Sequence, residues 1–389
     1  MTAVRRVTVM GSGTMGHGIA QVCAMAGYDV ILRDIDFSFL NKAMDKIKWS
    51  LGKLVEKKKI TQTEAEQIFK RIRPEIDLKN SLADTDLVFE AVPEDLTLKR
   101  ELYTDIDKYA KQKTLYASNT STLPITEIAA LTERPDRVIG LHFFNPPQLM
   151  KLVEVIPGEN TKQETVDTAM NFVLHVGKQP VLCRKDVAGF IVNRIFIPLV
   201  HEAAYRLERD RVSMAGIDSA VKYKLGFPMG IFELADYTGL DVIFKATSEM
   251  YLRDKTVVRP HPKIKELFDG KNFGQKTGKG FYEYGKTPYQ RVNLTPEEAL
   301  KYNPIGLLSI SANKAGWLIS NNVCTKEDLD KALSLGMGLT KELFNTVEEF
   351  GVGNVVAKLR EMAAEEQEPS YEPDAYLVTY SSNKESPPS

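Results

Sequence analysis

Short apolar runs alternate with helical periodicity through the first half of the chain. Val4 to Met10 is one run, interrupted by two arginines, and Tyr28 to Leu32 is the next; between them Ile19, Val22, Cys23 and Ala26 recur at three- and four-residue spacing. That spacing puts apolar side chains on one face of a helix, whereas a brief continuous run marks a strand buried on both faces. Further runs at 86–92, 114–118 and 137–142 are separated by helical segments. Alternation of this kind predicts a parallel sheet covered by helices on both sides. At 38–71 two helices replace one: Leu40, Ile47, Leu51 and Leu54 make the buried stripe of the first. Beyond about residue 185 the runs cease and helical periodicity takes over.

The helical region contains an internal repeat at a fixed offset of 112 residues, without a gap. Ala203 matches Ala315, Tyr205 matches Trp317, Ile217-Asp218 matches Leu329-Asp330, Ala220 matches Ala332, Gly226 matches Gly338, Phe232 matches Phe344 and Gly239 matches Gly351. A gapless match of apolar, acidic and glycine positions predicts a duplicated helical unit. The domains expected are therefore 1–185, with its helical insertion at 38–71, a first helical copy at 186–285 and a degenerate second copy at 286–365. Asn193 of the first copy faces Ile305 in the second, which has lost that polar group. The stretch NFGQKTGKGFYEY at 272–284 lacks phosphate-loop spacing and reads as a loop closing the first copy. Residues 366–389, with EEQEPSYEPD and SSNKESPPS, are polar and proline-rich, the composition of a mobile tail.

Composition narrows the field of functions. With 389 residues, 43% hydrophobic and 26% charged, and a formal charge of -1, the chain has no global basic excess to attract nucleic acid or an anionic membrane. No stretch approaches the roughly 20 apolar residues that span a bilayer. Cys23, Cys183 and Cys324 lie far apart without metal-ligand spacing, so neither a disulfide framework nor a metal site is indicated, and a cytoplasmic protein is expected.

The candidate chemistry begins where the first run ends. Val4–Met10 leads into Gly11-Ser12-Gly13-Thr14-Met15-Gly16, a GxGxxG, and the second run ends near Asp34. Gly11 permits the tight turn, Gly13 lets the backbone approach a pyrophosphate, Gly16 lets helix pack on strand, and Thr14 and Met15 complete the cradle at the helix N-terminus. Asp34 stands where a carboxylate accepts from ribose hydroxyls and disfavours a 2'-phosphate, so NAD is expected over NADP; Arg33 beside it pulls weakly the other way. The domain is thus of Rossmann type, doubly wound. Glu90, Ser118, Asn119, Ser121 and His142 all fall at or just beyond strand ends, where such sheets bind ligands.

His142 precedes Glu154 by twelve positions, with Asn145-Pro146-Pro147 between them. Proline forbids a helix there, and Leu152 to Ile156 reads as a strand, so strand, turn and strand can bring the pair side by side. Beside a nicotinamide, an imidazole is a suited general base and a carboxylate on its far nitrogen a suited orienter. On the inserted helix Lys46, Ser50, Lys53 and Lys57 share a face. Charge pattern alone makes that a solvated surface; a polyanionic substrate is the sharper alternative.

The stretches VTVMGSGTMGHGIAQ, FEAVPEDLTLK, SNTSTLPI, GLHFFNPPQLMKLVEVI, DVAGFIVNRI, GFPMGIFELADYTGLD and FGQKTGKGFYEY make the chain resemble the 3-hydroxyacyl-CoA dehydrogenases over residues 4–284. The resemblance implies His142 as general acid/base and Glu154 as its partner, with Ser121 and Asn193 holding the reacting oxygens and Asn145 helping to place the substrate. It assigns Asp34, Glu94, Lys99 and Asn119 to the NAD side, and Ser50 and Lys57 to coenzyme A. Thr122 and Pro93 are mild departures from the pattern. The extra helical copy is similar to that of longer members, and implies either a homodimer through the helical domains or a pseudo-dimer within one chain. The expected reaction is NAD-dependent oxidation of a short (S)-3-hydroxyacyl-CoA such as 3-hydroxybutyryl-CoA. The rival readings are a dehydrogenase of a small hydroxy acid or sugar acid, and a non-catalytic NAD-binding scaffold.

Overall fold

A computed structural model describes residues 4–285 and 291–385. The chain falls into two compact units, Met1–Asp186 and Val187–Ser389.

The first unit is built on eight strands: β1 (Arg6–Met10), β2 (Asp29–Arg33), β3 (Ile72–Glu75), β4 (Leu87–Glu90), β5 (Leu115–Ser118), β6 (Val138–Phe143), β7 (Leu152–Pro157) and β8 (Gln179–Leu182). Their order in the sheet is β3-β2-β1-β4-β5-β6-β7-β8. Strands β4, β5 and β6 are buried at every residue, which is why they read as unbroken apolar runs. All neighbours pair parallel except β6 and β7, which are antiparallel. Two strands have no signal in the sequence: β3 is IRPE and β8 is QPVL, each at a sheet edge and each carrying a proline.

The inserted pair is α2 (Phe37–Glu56) and α3 (Gln62–Lys70), preceded by α1 (Gly16–Met25). Asp36 caps α2 by accepting from the Ser38 amide at 2.6 Å, and Thr61 with Glu64 forms a capping box on α3. Leu40, Ile47 and Leu51 are at most 2% exposed. Each such side chain contributes about 1.5–3 kcal/mol of burial.

In the second unit the repeat is visible helix by helix. Val192–Arg209, Met214–Lys224, Ile231–Thr238 and Leu240–Arg253 recur as Ile305–Ser320, Lys326–Met337, Leu343–Phe350 and Val352–Glu366. The glycines coincide because both copies need left-handed backbone at the same joints: Gly226 and Gly338 have φ +79° and +73°, and Gly239 and Gly351 have +103° and +85°.

One expectation is corrected. Residues 366–389 are not a loose tail as far as they are described: Pro369–Tyr371 forms a 3-10 turn and Ala375–Glu385 a helix. This helix stands where Pro262–Asp269 stands in the first copy, so the second copy runs on past 365. Tyr371, 3% exposed, donates to Glu202 Oε2 at 2.8 Å, and Asn313 holds the Asp374 amide at 2.7 Å and the Glu372 carbonyl at 2.8 Å. Leu377 is fully buried, and Tyr376 and Tyr380 flank Phe344 edge-on at 5.5 and 5.3 Å. A few anchors outweigh a polar, proline-rich composition. Residues 386–389 lie outside the described residues. The 272–284 stretch folds around Asp236, which accepts from the Phe281 and Tyr282 amides at 2.9 Å each; a Cβ on Gly280 would sit 2.1 Å from that carboxylate. Its glycines answer to packing.

Candidate active site

The glycine loop joins β1 to α1. Gly11 donates its amide to the Arg33 carbonyl at 2.9 Å, and a Cβ on it would lie 2.6 Å from the Ala91 carbonyl oxygen. A Cβ on Gly16 would lie 1.8 Å from the Gly11 oxygen, so turn and helix close on each other with no side chain between. Gly13 is different: nothing comes within 4 Å of the Cβ it lacks. Its bareness serves no contact within the protein and leaves a path to the backbone for a ligand. Thr14 is exposed and Met15 half-buried beside it. Helix α1 has no side-chain cap and no acidic residue in its first turn, so its amide donors and positive dipole face an anion unopposed. These residues fit a dinucleotide pyrophosphate.

Asp34 follows β2, and its Oδ2 accepts from both the amide and the hydroxyl of Ser12, at 2.7 and 2.6 Å. The loop itself thus sets the carboxylate that would meet the ribose. Ser12 carried no sequence signal beyond its place in the motif. His17 was missed as well: its Nδ1 donates to the Gly13 carbonyl at 2.6 Å, and burial holds its pKa below the ordinary imidazole value.

Glu90 at the end of β4, with Glu94 and Lys99 beyond it, forms an ion network in which Glu90 and Lys99 are buried and Glu94 is partly exposed. Lys99, fully buried, donates to Glu90 Oε2 at 2.7 Å and pairs with Glu94 Oε2 at 3.0 Å. Burial opposes its charge, but the two carboxylates outweigh burial and raise its pKa. Burial likewise opposes ionised Glu94, and Lys99 with Thr120 and Thr122 outweighs it, holding that carboxyl below its usual range. The Lys99 ammonium is engaged by both acids, and through Glu94 it bears on the loop that carries Ser121. Glu94 Oε1 accepts from the Thr120 hydroxyl, from Thr122 Oγ1 at 3.1 Å and from the Ser121 amide at 3.3 Å, so it fixes the loop that carries Ser121. Asn119 accepts from the Phe143 amide at 2.9 Å, which orients its carboxamide.

His142 and Glu154 face each other across the antiparallel β6/β7 pair. Nδ1 of His142 lies 2.7 Å from Glu154 Oε2, with the two residues 5% and 0% exposed. The His142 ring leans on Phe144 at 4.6 Å. The connection bends through a cis Asn145-Pro146 bond, and Lys178 ties it down by donating to the Pro147 and Met150 carbonyls at 2.6 and 2.8 Å. Burial pulls the Lys178 pKa down to about 8. Asn145 is exposed at that bend.

The remaining candidates are spread out. On α2, Lys46 is exposed and Ser50 half-buried, while Lys53 turns to Glu56 at 2.7 Å and exposed Lys57 ends the helix. Asn193 lies in the second unit, in the first turn of Val192–Arg209.

β1, β4, β5 and β6 run parallel, so the glycine loop, Glu90, Asn119, Ser121 and His142 share one edge of the sheet. A dinucleotide cradle sharing that edge with a carboxylate-backed imidazole defines a nicotinamide-dependent dehydrogenase. Residues 6–187 match the family model for the NAD-binding domain of 3-hydroxyacyl-CoA dehydrogenase, and 189–284 match that for its C-terminal domain. Human mitochondrial hydroxyacyl-coenzyme A dehydrogenase is 44% identical over 289 residues, covering 72% of this chain and 91% of that protein. A 3-hydroxybutyryl-CoA dehydrogenase of Bradyrhizobium diazoefficiens is 39% identical over 283 residues, covering 72% and 96%. Among solved structures, 3-hydroxybutyryl-CoA dehydrogenase from Escherichia coli K12 superposes with a TM-score of 0.88 at 29% identity, covering 98% of this chain and 99% of that one. The chain belongs to the 3-hydroxyacyl-CoA dehydrogenase family, NAD-dependent oxidoreductases.

Proposed function

We propose that the chain oxidises the hydroxyl of a short (S)-3-hydroxyacyl-CoA, such as 3-hydroxybutyryl-CoA, reversibly to the 3-oxo thioester. The observation that carries this reading is the buried His142–Glu154 pair at 2.7 Å on the sheet edge that bears the glycine loop. Bound NAD supplies the hydride acceptor. Glu154 fixes the imidazole through Nδ1, and Nε2 takes the hydroxyl proton as the carbon gives up its hydride; the products are ketone, NADH and a protonated imidazole. Ser121 and Asn193 serve as neutral donors to the oxygen whose charge changes. Asp34 takes the ribose hydroxyls and Asn145 helps to seat the acyl thioester.

Ser50 and Lys57 on α2 take the coenzyme A nucleotide. Free hydroxy acids have no remote phosphate, so this cationic face favours the thioester over a small-acid substrate. NAD reduction by 3-hydroxybutyryl-CoA, compared with free 3-hydroxybutyrate, tests the proposal: turnover on the free acid equal to that on the thioester would refute it. Lys57→Ala should raise KM for the thioester about threefold to tenfold, the loss of one exposed charge contact. It should leave KM for the pantetheine thioester unchanged, as initial rates on the two substrates will show.

The helical unit acts as a dimer folded within one chain. Support comes from reciprocal contacts between copies. Gly226 of the first copy receives the Thr340 amide of the second at 2.9 Å, and at the matching place Gly338 of the second lies against Pro228 of the first. Such pairing of i with j and j with i is the mark of a two-fold interface. Sedimentation equilibrium of the full chain should give the mass of one chain, 43.7 kDa; a stable dimer would contradict this assignment. Three buried free cysteines support a reducing compartment, and the cytoplasm is our assignment.

A further inference from the structure

The second helical copy has lost its own counterparts of Asn193 and Arg194, which are Ile305 and Gly306. Its Trp317 is placed against Arg194 of the first copy. Arg194 is 1% exposed and enters the helix Val192–Arg209 directly after Asn193. Its guanidinium lies flat over the Trp317 ring, 3.5 Å from the centroid, and Trp317 belongs to the second copy. The fork of Arg194 donates to Asp254, to Thr256 Oγ1 at 3.3 Å and to the Ala188 carbonyl at 3.2 Å. Lys314, again of the second copy, holds the Thr256 carbonyl at 2.5 Å and the Ser370 carbonyl at 2.9 Å.

The helix needs this support at its start. Its N-cap, Ile191, provides no side-chain bond, and the two residues before it, Gly189 and Phe190, have φ +81° and +50°. A non-glycine residue in that region stores strain that surrounding contacts must hold. The pairing differs at the symmetry-related place: Gly306, the match of Arg194, offers no side chain, and Tyr205, the match of Trp317, lies under the Arg209 guanidinium at 4.6 Å instead. The ring that clamps Arg194 therefore acts on the residue directly after Asn193.

We propose that Trp317 is a positioning residue for the reaction: by clamping Arg194 it fixes the orientation in which Asn193 is presented. The inference rests on the reading that Asn193 meets the reacting oxygen. Planar stacking is what arginine gains from an aromatic face and lysine does not reproduce.

The test uses the full chain and 3-hydroxybutyryl-CoA. Trp317→Leu should lower kcat about tenfold, within what a misplacement of the order of 1 Å costs, with KM for NAD unchanged. Trp317→Phe should restore most of the activity, since it keeps a ring for the guanidinium. Arg194→Lys, which keeps charge and loses the stack, should reproduce the Trp317→Leu loss and serves if that variant folds poorly. In an Asn193→Ala background, Trp317→Leu should cost nothing further in kcat. Full kcat in Trp317→Leu, or the same fold loss in both backgrounds, would overturn the proposal. Full kcat in Asn193→Ala alone would remove the reading of Asn193, and this inference with it.

Discussion

His142→Gln should lower kcat for NAD reduction by at least ~10²-fold, the lower end for loss of a general base, and leave NAD affinity nearly unchanged. That fall corresponds to about 2.7 kcal/mol of transition-state stabilisation. Glutamine keeps a hydrogen-bonding group of similar reach but cannot take up the hydroxyl proton at neutral pH. The separation of effects follows from geometry. Asp34 is set by Ser12 of the glycine loop, whereas the His142 ring is set by Glu154 and the face of Phe144. Steady-state rates with a binding titration for NAD read out both halves.

Glu154→Gln should cost kcat about as much, again ~10²-fold or more, with the fold intact. Glu154 is fully buried, and its Oε2 is 2.7 Å from the imidazole. An amide there is isosteric but neutral, so it neither holds the tautomer as firmly nor balances the positive charge that forms on the ring. Removing the partner of a potential buried cation is costly at the moment the cation appears. The unfolding midpoint should move little, because the ground-state imidazole keeps a hydrogen-bond partner. Circular dichroism alongside kcat distinguishes a catalytic loss from a folding loss.

The His142–Glu154 contact was legible in advance because prolines at 146 and 147 force a turn between two apolar stretches, and an antiparallel register follows from the turn. The glycine loop was legible from its spacing between strand and helix: Gly11 and Gly16 answer steric demands of their neighbours, whereas nothing crowds Gly13. The helical repeat was visible because paired glycines at 226/338 and 239/351 occupy backbone conformations other residues avoid. Other parts left little trace. β3 and β8 are four-residue edge strands with a proline each, and their pairing comes from the sheet they join. Helical pattern alone makes Lys99 look like any surface lysine, so only the resemblance singled it out before the fold buried it beside Glu90 and Glu94. The helix Ala375–Glu385 hides in a polar stretch because its anchors, Tyr371 and Leu377, bind partners far away in sequence. The pairing of Arg194 with Trp317 is of the same kind: charge and ring are brought together by tertiary structure alone.

The claim that organises the site is that imidazole and carboxylate act as one unit. A double-mutant cycle on kcat, with His142→Gln, Glu154→Gln and both together, measures that coupling directly. The double variant should turn over no more slowly than His142→Gln alone, since the carboxylate has no task once the base is gone. Losses that multiply across the two positions would contradict the account.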